Sequence, residues 1–468
     1  MKQKLFLLVG LFALLAGCTM APEYTRPEAP VPSSWPSGSA YKDTQATAGA
    51  PLATDLGWRE FFADERLQRI IETALDNNRD LRAASLTVER ARALYRIQRN
   101  ELFPAVNAVG SGGKERVPAD LSITGSSYTA EQYRVNLGIS SWEIDFFGRI
   151  RSLEKRALEE YFATEEARRS ARILLVSEVA NVYLTLAADR EALQLAQSTL
   201  ETQRAAYDLI RLRYEKGLAT ALDLRQAQTQ VDAARVDIAR NIQRVALDEN
   251  ALNLLVGLPV SGDLLPEALN TVIPPKEISP GTSSEVLLHR PDILSAENLL
   301  KAANANIGAA RAALFPRITL TTAFGTASDE LSGLFKAGSA SWNFSSQIVL
   351  PIFDARAWAA LEATKVEREI AVAQYEKAIQ AAFREVADAL AQRGTVGDQM
   401  EAQQSLVNAM AETYRLSNLR YLKGVDSYLG VLDAQRSLRV AEQVLIAIRL
   451  ANYANQVRLF AVLGGGRD

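Results

Sequence analysis

Leu212-Arg213-Tyr214-Glu215-Lys216-Gly217 recurs 207 residues later as Leu419-Arg420-Tyr421-Leu422-Lys423-Gly424, and the echo extends along the chain. Ala227-Gln228 returns as Ala434-Gln435, Leu102-Phe103-Pro104 as Leu314-Phe315-Pro316, Asp80-Leu81 as Asp292-Ile293, and Leu255-Val256-Gly257 as Val462-Leu463-Gly464, always 207–212 residues apart. Such a duplication means one architectural unit used twice. The 468 residues therefore read as one body of two similar halves, 56–262 and 263–463, and function belongs to the repeated unit rather than to a lone side chain.

Each half begins with a helix, about 64–100 and 283–313, ended by Phe-Pro at 103–104 and 315–316, because proline lacks the N–H and restricts the residue before it. The hydrophobic period then changes to two. Tyr133, Val135, Leu137, Ile139 and Ser141 alternate with Arg134, Asn136, Gly138 and Ser140; Ile318, Leu320, Thr322 and Phe324 alternate with Thr319, Thr321 and Ala323, and Phe344, Ser346, Ile348 and Leu350 do likewise. With Ala105–Gly110 this gives four strands, about 104–112, 132–142, 316–325 and 342–351, paired across Gly/Ser-rich loops. Their length and pattern suit either outer-membrane barrel strands or a half-buried soluble sheet. The count favours the barrel only if chains pool their strands: four leave two open edges, which a bilayer does not tolerate, and three copies supply twelve.

Proline-free stretches follow, about 149–214 and 355–423. At 1.5 Å per residue such a stretch makes a rod of roughly 100 Å. Lys216-Gly217 and Lys423-Gly424 are C-cap signals, after which a second helix runs back. The returning helices carry heptad spacing: Val431, Ala434, Leu438, Ala441, Leu445 and Ile448, repeated by Leu224, Ala227, Val231, Ala234, Ile238, Asn241, Val245, Asp248, Leu252 and Leu255. Polar Asn241, Asn452 and Asn455 in the seam fix register. A second stripe, Val440, Val444, Ala447, Ala451, Ala454 and Ala461, lies on the same helix. Two offset seams let each helix touch a neighbour on both sides and close into a hollow cylinder; a thick soluble bundle is the competing arrangement.

The first 17 residues read as an export signal: Lys2 and Lys4, then an apolar stretch from Leu5 to Ala16 that is too short to span a bilayer. Leu15-Ala16-Gly17-Cys18 resembles a bacterial lipobox, which makes Cys18 the lipidation site, and the Thr19 that follows favours outer-membrane sorting by the same resemblance. Residues 18–55, rich in Pro, Ser, Thr and Ala, form an extended lipidated leader, and 464–468 a short tail. Losing Lys2 and Lys4 with the signal takes the formal net charge from −3 to −5, and no basic tract offers itself to nucleic acid.

Gly57-Trp58-Arg59-Glu60-Phe61-Phe62, Asn77-Asn78-Arg79-Asp80-Leu81, Trp142-Glu143-Ile144-Asp145-Phe146-Phe147-Gly148-Arg149, Arg290-Pro291-Asp292-Ile293, Gly308-Ala309-Ala310-Arg311-Ala312-Ala313, Leu350-Pro351-Ile352-Phe353 and Leu432-Asp433-Ala434-Gln435-Arg436 complete the pattern. Together with the lipobox and the paired Arg-Tyr-x-x-Gly turns they resemble the outer membrane factors of Gram-negative efflux systems, the OprM-like lipoprotein branch of the TolC superfamily. The likeness covers essentially the whole mature chain. It implies a mainly α fold with a transmembrane β part: a homotrimer whose 12-stranded outer-membrane barrel continues into a long periplasmic α-barrel. It also implies an inner-membrane RND-type pump and a periplasmic adaptor as partners.

Catalytic signals are weak. His289 has no second histidine or cysteine nearby, and at a helix start it reads as a cap or surface residue. Ser111-Gly112-Gly113-Lys114 fails the P-loop spacing, since Ala108 and Glu115 stand where Gly and Ser/Thr are required, and reads as an exposed loop. Glu143 and Asp145 suggest an acid pair, but they lie where strand passes to helix and have no partner. No cofactor, metal cluster or enzyme activity is implied. The candidate site is mechanical. By resemblance, the Leu-Asp-Ala-Gln-Arg segment lies at the closed periplasmic tip, where Leu429 forms an apolar plug with Asp433 one turn deeper. Arg436, Tyr421 and Asp223 of the first half's turn then tie neighbouring helix pairs shut. The competing reading makes Asp433 and Arg436 an i,i+3 surface pair worth a few tenths of a kcal/mol. The leading function is a passive exit duct for small toxic molecules such as antibiotics, driven by a partner pump; a type I protein-secretion channel and a non-conducting periplasmic scaffold are the alternatives.

Overall fold

Proline, glycine and asparagine mark where the helices of this chain break. The computed structural model describes residues 19–42, 50–281 and 283–465; the expected signal at 1–17, Cys18 and the last three residues of the expected tail lie outside them. Among the described residues, after a single turn at Trp58–Phe61, the order is α1 (Glu65–Asn77), α2 (Arg79–Asn100), β1 (Val106–Val117), β2 (Tyr128–Ile144), α3 (Arg149–Glu215), α4 (Ala221–Val256), α5 (Pro291–Ala312), β3 (Arg317–Ser328), β4 (Ala340–Val349), α6 (Ala355–Leu422) and α7 (Tyr428–Val462).

The helix expected over 64–100 is interrupted at Asn78, which is extended (ψ 130°). Its carboxamide replaces the lost ladder, accepting from Leu81 N at 2.8 Å and donating to Leu255 O at 2.8 Å. In the second half, Ser284–His289 forms a 3-10 turn, and Arg290 is extended because Pro291 follows. His289 thus ends a turn rather than starting a helix.

Two compact units emerge, each assembled from three stretches of sequence. Of the described residues, the first comprises 19–28, 87–165 and 295–375. Its sheet is antiparallel, in the order β1-β2-β3-β4, so β1 and β4 are open edges. The strands run further than the alternation indicates, and Ser111-Gly112-Gly113-Lys114 is strand rather than loop, paired with Gln132–Arg134 and Glu131 on β2. Lys114 lies directly across from Glu131 and pairs with it at 2.7 Å, so the ladder continues where apolar alternation has stopped. Between Ile139 and Trp142 the register shifts; Ser141 takes a left-handed φ of 50°, and its N–H donates to Thr321 Oγ1 at 3.1 Å.

Register places Val106, Leu137, Phe324, Trp342, Phe344 and Ile348 on one face, and Asn107, Asn136, Thr321, Asn343, Ser345 and Gln347 on the other. The apolar side chains are exposed in the protomer. Helices in this unit follow the order of the strands they join. Tyr95 of α2 donates to Glu154 of α3 at 3.0 Å, Ser295 of α5 donates to Ala163 O of α3 at 2.9 Å, and Asn306 of α5 donates to Glu367 of α6 at 3.3 Å. The leader is pressed onto α5: Asn304 donates to Pro22 O at 2.8 Å, and a Cβ on Gly308 would stand 2.6 Å from Ala21 N. Glu297, 2% exposed, accepts from Tyr24 and, at 2.9 and 2.6 Å, from the Arg26 fork, with Lys301 at 3.3 Å.

The second unit comprises the described residues within 29–86, 166–294 and 376–465. Phe61 stacks on Phe460 of α7 with centroids 4.2 Å apart, and Ile70 and Ile71 of α1, Tyr183 and Leu184 of α3 and Leu252 of α4 are fully buried. α3 contains a segment long and apolar enough to cross a membrane, but Leu175, Val176, Val179, Ala180 and Tyr183 within it are buried in protein. Arg290 joins three elements, reaching Asp292 at 2.8 Å, Glu385 of α6 at 2.9 Å and Val462 O of α7 at 2.7 Å. Along the first stripe of α7, Val431, Ala434, Ala441 and Leu445 are buried and Leu438 and Ile448 part-buried, whereas Val440 and Val444 of the second stripe are exposed. Asn455 donates to Ala389 O of α6 at 3.0 Å and Asn241 to Ala192 O of α3 at 3.5 Å.

Candidate functional site

Both long helices stop in the same way. Gly217 and Gly424 have φ of 71°, Leu218 N donates to Arg213 O at 2.8 Å, and Val425 N donates to Arg420 O at 3.0 Å. This 6→1 bond over a left-handed glycine satisfies carbonyls the helix end leaves bare. The returns then diverge. Thr220 and Asp223 form a capping box at the start of α4: the Asp223 carboxylate accepts from Thr220 N at 2.9 Å and Asp223 N donates to Thr220 Oγ1 at 3.1 Å. At the equivalent start of α7, Ser427 makes no side-chain cap, and Arg420 instead reaches forward to Asp426 at 3.1 Å.

An aromatic cluster sits behind the turns. Ile210, Ala227, Tyr428, Val431 and Leu432 are buried together, with Tyr207, Tyr414 and Tyr421 packed against them. Tyr421 lies 5.2 Å from Tyr428, and Arg213 of α3 sits 4.9 Å over the Tyr421 ring. Burial, with Tyr414 and Tyr421 beside it, pushes the Tyr428 phenol up to about 12, and burial raises Tyr421 as well, with Arg213 pulling down and Asp223 pushing up. Both rings therefore stay neutral at physiological pH.

The sequence-derived residues divide here. Tyr421 and Asp223 share one neighbourhood with Arg213, although one Asp223 oxygen is committed to its own helix cap. Leu429 is 58% exposed, and Asp433 and Arg436 are exposed too, at one-turn intervals along α7. Among the described residues Asp433 and Arg436 form no ion pair with each other, so the surface-pair reading has no contact behind it. Deeper, Arg439 of α7 holds Asp237 of α4 at 2.7 Å. A cleft of about 170 Å³ opens between Gln203, Gln230, Tyr414, Gln435, Arg436 and Glu442, and on its lining Gln203, 5% exposed, has a carbonyl oxygen without a partner. Sequence reading missed Arg213, Arg439 and Gln203; only the repeated Arg-Tyr turn pointed toward the first.

The remaining polar candidates are structural. Glu143 is buried and bidentate to Arg149 at 2.9 Å, with Arg317 at 2.6 Å. Asp145 accepts from Ile150 N and Arg151 N at 3.0 and 2.9 Å, capping α3. Both thus have partners the sequence did not reveal, because glycine at 148 turns the chain back on itself (φ 74°). Among the described residues no group of three His, Cys, Asp or Glu side chains is placed to hold a metal ion.

Comparison with known proteins agrees along the whole chain. The family described as outer membrane efflux protein matches residues 70–258 and 282–465. The antibiotic efflux pump outer membrane protein ArpC of Pseudomonas putida is 48% identical over 466 residues, 99% of this chain and 96% of that one. The toluene efflux pump outer membrane protein TtgC of Pseudomonas putida gives the same 48% over 466 residues, 99% and 96% of the two chains. Among solved structures, the open state of the MtrE outer membrane channel of Neisseria gonorrhoeae matches with a TM-score of 0.86 at 37% identity, covering 96% of this chain and 98% of that one.

Proposed function

The chain belongs to the outer membrane efflux protein family, and from that premise we propose that it works as a homotrimeric, passive exit duct whose periplasmic mouth is the paired helical turn. It is an outer-membrane efflux protein. Its cargo is read as small toxic compounds, antibiotics and aromatic solvents among them, in keeping with the names of its relatives. An inner-membrane RND-type pump and a periplasmic adaptor supply drive and coupling, Cys18 carries the lipid anchor, and no catalytic step or cofactor is involved.

The observation that carries the trimer is the sheet with one apolar face and two open edges, which a bilayer accepts only when neighbouring chains pair those edges. The exposed second stripe of α7, Val440 and Val444, supports the same closure among helices. Around a threefold axis, Leu429 and Asp433 each meet two copies of themselves. The carboxylate ring attracts and holds cations in the path, and the apolar ring above it closes. Arg436, Tyr421 and Asp223 are placed to tie neighbouring helix pairs.

Single-channel conductance of the purified oligomer in planar bilayers tests this reading. The wild type is expected to pass a small or flickering current, and Asp433→Ala a clearly larger one. A verified trimer that stays silent in both forms removes the Asp433 gate and leaves a periplasm-spanning scaffold.

A further inference from the structure

Within the second unit, α1, α2 and α3 enclose a cleft of about 750 Å³ lined by Trp58 and by Arg59, Arg82, Arg168, Arg169 and Arg172. Five guanidinium groups face two carboxylates on the same lining, Glu72 and Asp76. Arg59 is held by Glu72 at 2.7 Å and lies 4.7 Å over the Trp58 ring, and Arg169 is held by Glu166 at 3.0 Å. Arg82 and Arg168 have no acidic partner among the described residues. Arg168 and Arg172 are also like charges one turn apart on α3, an arrangement that costs a few tenths of a kcal/mol. Leu75 and Leu81 give the cleft an apolar wall, and a recess beside Trp58 is floored by Ile173, Val176 and Phe460.

Arginine forks left without carboxylates in a concave, part-apolar cleft match the two chemistries of an amphiphilic anion: guanidinium pairs hold phosphate or carboxylate bidentately, and the wall takes an apolar body. The volume falls in the range of small-molecule sites, roughly 300–1,000 Å³. We propose that this cleft binds a small amphiphilic anion, a phosphate or carboxylate on a compact apolar body, with Arg82 and Arg168 taking the anionic head and the Trp58–Leu75–Leu81 wall the body. The site is separate from the helical turns and does not depend on how they gate.

Isothermal titration of the purified full-length protein in neutral detergent with 1-naphthyl phosphate tests the proposal, with inorganic phosphate and 1-naphthol as separate arms. Saturable binding is expected for naphthyl phosphate, at least tenfold weaker binding for inorganic phosphate, and only unsaturable partitioning for naphthol. Arg82→Ala with Arg168→Ala should weaken the naphthyl phosphate at least tenfold. Arg82→Lys with Arg168→Lys preserves charge and fold but not the fork and should fall between, while Arg235→Ala, a solvent-exposed arginine on α4, should change nothing. Absence of saturable binding to the wild type, or binding indifferent to both double substitutions, overturns the site.

Discussion

Asp248 stands in α4 where Asn455 stands in α7, 207 residues on. Asn455 is 3% exposed and gives its amide to Ala389 O, so the seam gains a neutral hydrogen bond. Asp248 has no amide to give. One of its oxygens is buried without a partner, and burial together with Asp189 of α3 pushes its pKa up to about 6; burial raises Asp189 as well, against the pull of Arg244. A folded-state pKa above the unfolded value near 3.8 means the native seam binds the extra proton, so stability falls as pH rises from about 4 to about 6 and stays reduced above. Asp248→Asn should therefore raise the apparent melting temperature at pH 8 and leave it nearly unchanged at pH 4. An equal shift at both pH values would mean the carboxyl pair is not what titrates. Glu297 has the opposite sign. Burial alone would raise its pKa, but Arg26, Lys301 and Tyr24 hold it below the usual carboxylate range, so its contribution is present at neutral pH and lost on acidification. Arg26→Ala leaves a buried acceptor short of its strongest donor and should cost about 1–3 kcal/mol at pH 7 by denaturant melt, with the difference shrinking toward pH 4.

At the scale of elements, the halves were legible because helices, caps and strands obey local rules that a duplication states twice. Pro104, Pro316, Gly217 and Gly424 mark breaks that the chain makes. What escaped reading is set by partners distant in sequence. Ser111–Val117 has loop composition and is strand only because β2 supplies a ladder and Glu131 a counter-charge for Lys114. Asn78 breaks a helix that periodicity would continue, because Leu255 O offers its side chain a better use. At the candidate site, the capping box of Asp223 was written in Thr220 and Asp223 themselves, whereas the place of Arg213 over Tyr421 depends on how α3 meets α6. The order of strands and helices in the first unit also makes a prediction. α2 ends at Asn100, six residues before β1, and α6 begins at Ala355, six residues after β4, so both outer flanks leave the open sheet edges at matching levels. Ile97 and Trp358, each nine residues from its strand, are 63% and 64% exposed. If β4 of one protomer pairs with β1 of the next, these side chains come level on adjacent antiparallel helices. Ile97→Cys with Trp358→Cys should then give dimers and trimers on non-reducing gels after mild oxidation, and each single substitution only monomer; monomer from the double variant would refute that edge pairing.

At the scale of the molecule, the duplication is not a symmetry, and the leader breaks it. Counting back 212 residues from Gly308 of α5 reaches Arg96 of α2, so the notch that admits Ala21 exists on one half only. α5 is correspondingly well covered, while α2 has no buried residue along its 22 positions. One repeat is thus finished by the chain's own leader, and the other is left bare in the protomer. The division suits a ring of protomers: a strap on both faces would leave no flank for closure, and a strap on neither would leave the Glu297 carboxylate buried without its guanidinium. Gly308→Val tests the division directly. Its side chain would occupy the space of Ala21 N and Ser152 Oγ, both 2.6 Å from the Cβ position, so residues 19–26 should be displaced while the sheet and α2 remain intact. Hydrogen exchange followed by mass spectrometry should show peptides from 19–28 losing protection, with little change over 128–144, and assembled trimer should survive to a lower temperature. Unchanged protection of the leader would mean that Gly308 does not hold it.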